Sequence, residues 1–227
     1  MRTKKRYPVV AMRAQVVLPG GVARFDLSRS RTVAAVEEAM VRDGLIFLVA
    51  QKNPEALDPG VSGTYRYGTL CQIRSLTRTS RDTRRAMLFG IRRCIVEQLV
   101  LEGDIYEAEL YNAPLREIEK DGKEKEAMLR ALKGYLQLYA REDKAFAEKY
   151  LPRLISQTGL MQLLRDSSSQ LPWAWGTGQR LLECNTGDEF YEVLTGELSR
   201  EIDVVRMRHE YEQKLRVRLD RSQREFM

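Results

Sequence analysis

The first half of the chain shows the alternation of apolar and polar side chains that is typical of half-buried β-strands. The strands predicted on this basis are 65–73, then 87–91, which returns from a turn at 80–83, and 106–110. The run 45–50 is continuously apolar and of strand length, which predicts a strand buried on both faces. One helix interrupts the strands, from Ser30 or Arg31 to Val41, and Gly44 ends it. Strands with a single helix and turn-rich connections predict a small, partly closed β-domain.

After Pro114 the apolar repeat changes from two residues to 3.6, the repeat of an amphipathic helix. The predicted helices are 128–150, which Pro152 ends, then 152–165, interrupted at 167–169, then 177–184, and a long one from about Asp188 to the C-terminus. At 1.5 Å per residue the last helix, of roughly 40 residues, would extend about 60 Å.

The two patterns together predict an α+β protein. A small β-rich pseudo-barrel subdomain with one helix (1–114) is followed by an α-helical bundle (115–187) and a long C-terminal helix (188–227). The first half of this helix carries an apolar stripe that predicts packing on the bundle. The second half is so rich in Arg, Glu and Lys that it predicts an exposed arm. Because the stripe shifts near Val205, it is too irregular to predict a coiled coil.

Composition places the chain among soluble globular proteins, with 43% apolar and 31% charged residues. No segment approaches the ~20 apolar residues that cross a bilayer, and no signal peptide is evident, so we expect a cytoplasmic protein without a membrane partner. Cys71, Cys94 and Cys184 are odd in number and widely spaced, which fits neither a disulfide framework nor a zinc site. They are expected to be reduced thiols.

The net charge of +6 is concentrated between Arg66 and Arg93, where eight arginines accompany one acid. The basic-patch candidates among them are Arg74, Arg78, Arg81, Arg84 and Arg85. Such a patch could bind nucleic-acid phosphates. It could equally be the solvated face of a hairpin, where arginines discourage edge-to-edge pairing of strands. The second interpretation is favoured because no stacking aromatic residues accompany the arginines at binding spacing.

No catalytic residue set is evident. His209 is the only histidine, and the sequence places neither a nucleophile nor a pocket beside it, so it is expected to be structural. No glycine-rich phosphate loop and no serine–lysine pair occur. The chain is therefore expected to bind rather than to catalyse, without a metal or cofactor of its own.

Apolar residues at turns and in loops are the candidate binding positions. Leu18, Pro19 and Val22 surround a tight glycine turn, and at most one of Met87 and Leu88 can face the core. Trp173 and Trp175 stand in a segment broken by proline and glycine, where they would either anchor a partner or fill a gap between helices. The candidate substrate-binding residues are Leu18, Pro19, Val22, Met87, Leu88, Trp173 and Trp175.

A series of motifs in this order resembles the N-terminal region of Lon, the ATP-dependent protease. The motifs are 7–11, the turn 16–21, the helix entry 28–31, the strand 45–52, 67–69, Gly90 with Arg92 or Arg93, 179–183, 201–202 and 222–226. Leu18 stands where the family usually has phenylalanine, and Ala11 where it usually has proline. The resemblance covers nearly the whole chain, which would end before the family's ATPase domain.

The resemblance implies a non-catalytic region that recognises unfolded or damaged protein substrates and helps Lon subunits to assemble into a hexamer. The full-length parent would be an ATP-dependent serine endopeptidase of protein quality control, with ATP and Mg²⁺ bound only in the missing ATPase domain. Two alternatives stay open. The chain could be a free-standing module of this type, or a nucleic-acid-binding module that uses the arginines of 66–93.

Overall fold

The computed structural model describes residues 5–27, 29–79 and 84–225, with side chains in the last helix described through Arg216. The predicted turn at 80–83, Arg81 and Phe226 lie outside the described residues. The strands are β1 Arg6–Met12, β2 Val22–Leu27, β3 Leu45–Gln51, β4 Thr64–Arg78, β5 Arg84–Glu102 and β6 Ile105–Asn112. The helices are α1 Ser30–Val41, α2 Gly122–Glu142, α3 Lys144–Lys149, α4 Leu151–Ile155, α5 Leu160–Gln170, α6 Trp175–Glu183 and α7 Gly187–Glu225.

Strand pairing closes five of the strands into a ring. β5 pairs with β4, β4 with β3, β3 with β1, β1 with β6, and β6 returns to the second half of β5. β2 pairs with the first part of β5. Of the pairs between the described strands, only β1 with β3 is parallel, and the crossover between these two strands contains β2 and α1. The prediction of a β-rich pseudo-barrel with one helix is confirmed.

Apolar side chains fill both sides of the central strands. Neighbouring residues of β1 alternate between two clusters: Val10 packs with Ile46 and the buried face of α1, and Val9 packs with Phe47 on the other side. β3 is therefore buried on both faces, as its continuous apolar run predicts. α1 ends at a glycine with positive φ: Gly44, at φ +72°, donates its N–H to the carbonyl of Ala39 at 2.7 Å.

The chain forms two compact units. The first joins Met1–Glu117 with Arg165–Phe190, and the second joins Ile118–Leu164 with Tyr191–Met227. Segment 165–187, which the helical repeat places in the bundle, thus groups with the strands. Its contacts explain why: Arg93 of β5 donates to the carbonyl of Leu182 at 2.9 Å, and Gln179 donates to the carbonyl of Tyr67 at 3.4 Å. The functional division into three segments remains a prediction.

In the second unit, two helices stand where one was predicted over 128–150. Asp143 separates them because its backbone is extended and its carboxylate accepts the N–H of Phe146 at 2.9 Å, capping α3. Tyr139 and Phe146 then meet edge to face, with ring centroids 5.0 Å apart. Pro152 does not end a helix but lies in the first turn of α4, where the missing N–H has no consequence.

The predicted interruption at 167–169 is also wrong, because α5 continues through these serines to Gln170. The hydroxyls of Ser168 and Ser169 each donate to the carbonyl three residues earlier, on Arg165 and Asp166, at 2.9 Å. Such bonds satisfy serine inside a helix, where it otherwise competes with the backbone.

α7 changes from buried to exposed along its length. Leu194, Leu198 and Ile202 are buried, whereas Met207 and Tyr211 are 58% and 67% exposed. The described side chains thus change from buried to exposed along α7, and the packing of its first half on the bundle stays a prediction. At 39 residues, α7 extends about 58 Å. No helix among the described residues is both long and apolar enough to cross a membrane.

Candidate functional site

The glycine turn before β2 is fixed directly on β5. The N–H of Gly20 donates to the carbonyl of Gly90 at 2.8 Å, and the N–H of Gly90 donates to the carbonyl of Gly21 at 2.9 Å. Gly20 has φ +84°, a conformation that favours glycine. The turn therefore has one position on the sheet, and it sets the direction in which β2 leaves.

The neighbouring strand holds the residue before this turn. Thr69 Oγ1 donates to the carbonyl of Val17 at 2.5 Å inside the protein. Next to it, a Cβ atom on Gly68 would lie 2.3 Å from the carbonyl oxygen of Leu48, so β3 and β4 approach too closely there for a side chain. Thr69 thus helps to position the turn, and Gly68 permits the close pairing of β3 and β4.

A cleft of about 330 Å³ lies between residues 15–24 and residues 168–178, all in the first unit. Its lining includes Val16, Trp173 and Trp175. Leu18 and Val22 also line it, Leu18 as a buried side chain and Val22 as an exposed one. Gly178 permits the close approach of the two segments, since a Cβ atom there would stand 3.1 Å from Val16 Cβ. The structure thereby brings together candidate residues that are about 150 positions apart in the chain.

Both tryptophans are half-buried and held in defined orientations. Trp173 Nε1 donates to the carbonyl of Ser168 at 2.8 Å. Trp175 is the first residue of α6 rather than a loop residue, and its ring meets that of Tyr65 edge-on with centroids 6.4 Å apart. The indoles therefore fill the gap beside the turn and also line the cleft, so both predicted roles fit their positions.

An apolar strip on the sheet continues the cleft. Val22 pairs with Phe89 and Arg24 with Met87 across β2 and β5, which places all four side chains on one face. Met87 and Phe89 are half-buried, and the guanidinium of Arg74 lies 5.3 Å from the centroid of the Phe89 ring. Phe89 was not among the candidates, although the alternation that predicts β5 places it on the same face as Met87.

We call Val22, Met87, Phe89, Trp173 and Trp175 the apolar surface. Leu88, a candidate from the sequence, is not part of it, because it is fully buried in the core between β2 and β4. Leu18 is only 7% exposed and Pro19 is half-buried, so these two shape the turn more than they present surface.

The candidate basic patch divides into residues with different surroundings. Arg84 pairs with Glu37, and Arg85 pairs with Asp26 through two bonds of 2.7 and 3.0 Å, which lower the pKa of the Asp26 carboxyl. Arg74 covers Phe89, and Arg78 is exposed. These described arginines form no single open cluster, which favours the interpretation of a solvated hairpin.

Arg93 belongs to the interior. Its guanidinium donates to the carbonyls of Ala113 at 2.6 Å, Leu182 at 2.9 Å and Cys184. Burial lowers the pKa of this guanidinium, and three carbonyl acceptors compensate for the lost hydration. The side chain joins β5 to the segment after α6.

All three cysteines are free and buried, and burial raises the pKa of the Cys71 thiol, and that of Cys184 to about 11. Buried, protonated thiols are poor nucleophiles. Among the described residues, no group of three His, Cys, Asp or Glu side chains is placed to hold a metal ion.

Comparison with known proteins gives one consistent family. The model of the ATP-dependent protease La (LON) substrate-binding domain matches residues 6–172. Lon protease of Lachnoclostridium phytofermentans is 27% identical over 223 residues, which cover 98% of this chain and 28% of that protein. Lon protease of Escherichia coli K12 is 25% identical over 221 residues, covering 96% of this chain and 28% of the relative. The chain thus spans little more than a quarter of these curated relatives.

Solved structures agree at the level of the fold. The N-terminal domain of Mycobacterium avium complex Lon protease superposes with a TM-score of 0.68 at 20% identity, over 86% of this chain and 98% of that one. The Lon N-terminal domain protein of Xanthomonas campestris gives a TM-score of 0.57 at 15% identity, with the same coverage.

Proposed function

Because this chain belongs to the family of Lon substrate-binding domains, we propose that it captures unfolded or damaged proteins by binding their exposed apolar segments on the apolar surface. The observation that carries the proposal is the position of Val22. This residue is 55% exposed, and it stands between the cleft with its two tryptophans and the strip formed by Met87 and Phe89. An extended apolar segment could therefore contact both parts at once.

The side chains of the apolar surface suit ligands of varied sequence. Methionine adapts its shape to different partners, and tryptophan offers a large contact area at low cost in side-chain entropy. The supporting backbone is rigid by contrast, because the bonds between Gly20, Gly21 and Gly90 fix it on the sheet. Burying one valine-sized side chain contributes about 1.5–3 kcal/mol, so a few such contacts account for weak, reversible capture.

The finer biological role also belongs to this proposal. A captured protein would pass to ATP-driven proteolytic machinery of the kind that the full-length relatives are named for, in the cytoplasm, with ATP and Mg²⁺ bound outside this chain. The exposed side chains of Met207, Tyr211 and Leu215 on α7 support a second role in contacts between subunits of a hexamer. This region itself would contribute binding and no catalysis.

Nucleic-acid binding through the hairpin arginines is the alternative, and it has less support. Arg84 and Arg85 are paired with carboxylates, and Arg93 is buried. Phosphate contacts would make affinity fall steeply with salt, whereas contacts between apolar groups change little.

The deciding experiment compares binding of the 227-residue chain to a reduced, unfolded model protein, to its folded form and to a single-stranded oligonucleotide, at 50 and 300 mM salt. Selective, salt-tolerant binding to the unfolded form supports capture of apolar segments. Binding only to the oligonucleotide, lost at the higher salt, would replace this proposal with the alternative.

A further inference from the structure

A second cavity, of about 440 Å³, lies beside the start of α1 and shares no residue with the apolar surface. Three arginines and one acid line it: Arg13, Arg29, Arg31 and Asp58. We call this space the arginine cavity.

Arg13 reaches the arginine cavity with one hydrogen-bonding group unused. Its Nη2 donates to the carbonyl of Ala56 at 2.7 Å, while its Nε is buried and has no partner within the described part of the chain. A buried donor without an acceptor is unfavourable, and charged donors more so.

Arg29 lies close to Arg13, and within the described residues it likewise has no counter-ion. Its Nη1 lies 3.4 Å from Gln51 Oε1, and no carboxylate among the described residues pairs with Arg13 or Arg29. Burial lowers the pKa of the Arg29 guanidinium, and the positive charge of Arg13 lowers it further. The two guanidinium groups therefore repel each other where they are partly removed from water. A bound anion would offset this repulsion and the cost of desolvation.

The acid in the lining does not supply this anion, because Asp58 is already engaged. It accepts from Tyr106 OH at 2.6 Å and pairs with Arg31, whose Nη1 also lies 3.2 Å from Tyr106 OH. Arg31 and Asp58 neutralise each other, so no acid among the described residues compensates the charges of Arg13 and Arg29. The first turn of α1 adds to this potential, since Arg29 at its N-cap makes no side-chain capping bond and Ser30 and Thr32 line the same cavity.

We propose that the arginine cavity binds the phosphoryl group of a small anion, held by the guanidinium groups of Arg13 and Arg29. Guanidinium groups match the oxygen geometry of phosphate and bind it through paired charge-assisted hydrogen bonds. The volume lies in the range of small-molecule sites, about 300–1,000 Å³. The proposal does not depend on the capture of unfolded proteins.

Calorimetric titration of the 227-residue chain with inorganic pyrophosphate, inorganic phosphate and a phosphoserine peptide tests this site. We expect saturable binding of pyrophosphate with one site per chain. In Arg13→Gln and in Arg29→Gln the dissociation constant should rise about tenfold or more, the value of one charge-assisted hydrogen bond. Arg66→Gln, an exposed arginine on β4, is the matched control and should bind as the unaltered protein does.

Amide hydrogen exchange of the unaltered protein tests the site without any variant, so the result does not depend on whether the variants fold. Pyrophosphate should slow amide hydrogen exchange in residues 29–33 and 55–58, around the arginine cavity. The proposal is overturned by the absence of saturable pyrophosphate binding up to about 10 mM. It is also overturned if only the phosphoserine peptide binds, or if protection appears elsewhere and not in these segments.

Discussion

The carbonyl oxygen of Leu18 lies 2.6 Å from the point where a Cβ atom on Gly90 would stand. The turn before β2 and the middle of β5 are thus in direct backbone contact, and only glycine fits at that place on the strand. This contact determines where β2 starts and hence where Val22 is presented. The backbone contact between Gly90 and Leu18 therefore fixes the position of Val22 in the apolar surface.

Replacing Gly90 by alanine should lower the free energy of unfolding by about 2 kcal/mol, because the added methyl group meets backbone that cannot move without breaking the paired N–H bonds. Gly134→Ala is the control. Gly134 lies within α2 with no atom in the way, so its replacement should raise stability by about 0.5–1 kcal/mol. Urea unfolding followed by circular dichroism measures both, and equal effects of the two variants would contradict the close contact.

Arg93→Met should destabilise the protein by about 2–4 kcal/mol, because the carbonyls of Ala113, Leu182 and Cys184 lose their donor inside the protein. Its neighbour Arg92 is exposed, and Arg92→Met should change stability by about 0.5 kcal/mol or less. Thermal unfolding of the two variants checks this. If Arg93→Met behaves like Arg92→Met, the guanidinium does not join β5 to the segment after α6.

The elements with strong periodicity were predictable from the sequence. The helix boundaries that depend on single side chains were not. The apolar run of β3, the bounds of α1 and the change from buried to exposed along α7 follow from pattern alone. The break between α2 and α3 depends on one capping carboxylate, Asp143, inside a continuous helical repeat. Ser168 and Ser169 of α5 bond back to their own helix, so the run of three serines does not form a loop.

The candidate site was predictable in its parts and not in its assembly. Val22 and the two tryptophans were candidates because apolar residues in turns and loops are hard to bury, and Met87 because strand alternation places it and Leu88 on opposite faces. Their meeting depends on segment 165–190 packing with the strands, which rests on bonds from Arg93 and Gln179 to backbone carbonyls. Long-range contacts of this kind leave no periodic signal. Met87 and Leu88 both stayed candidates because alternation gives two faces without saying which one is inside, and Leu88 is the buried one.

Stability should fall at alkaline pH through the buried thiols. Burial raises the pKa of Cys184 to about 11, above its ordinary value of 9.0, so between these values the unfolded chain loses a proton that the folded protein keeps. The free energy of unfolding therefore decreases as pH rises through this window. Urea unfolding at pH 8, 9 and 10 should show a shallower decrease for Cys184→Ala than for the unaltered protein. Parallel pH profiles would show that this thiol does not contribute.

The most direct test of the central claim is the affinity of Val22→Gln for a reduced, unfolded model protein, measured by fluorescence anisotropy beside Val41→Gln. Val41 is also highly exposed, at 82%, but lies at the end of α1 and outside the apolar surface. Both changes are neutral in charge, so a difference reports the loss of apolar contact. We expect about a tenfold loss of affinity for Val22→Gln, from the contact of one valine, and none for Val41→Gln. Equal affinities for the two folded variants would contradict the assignment of the apolar surface as the place where substrates bind.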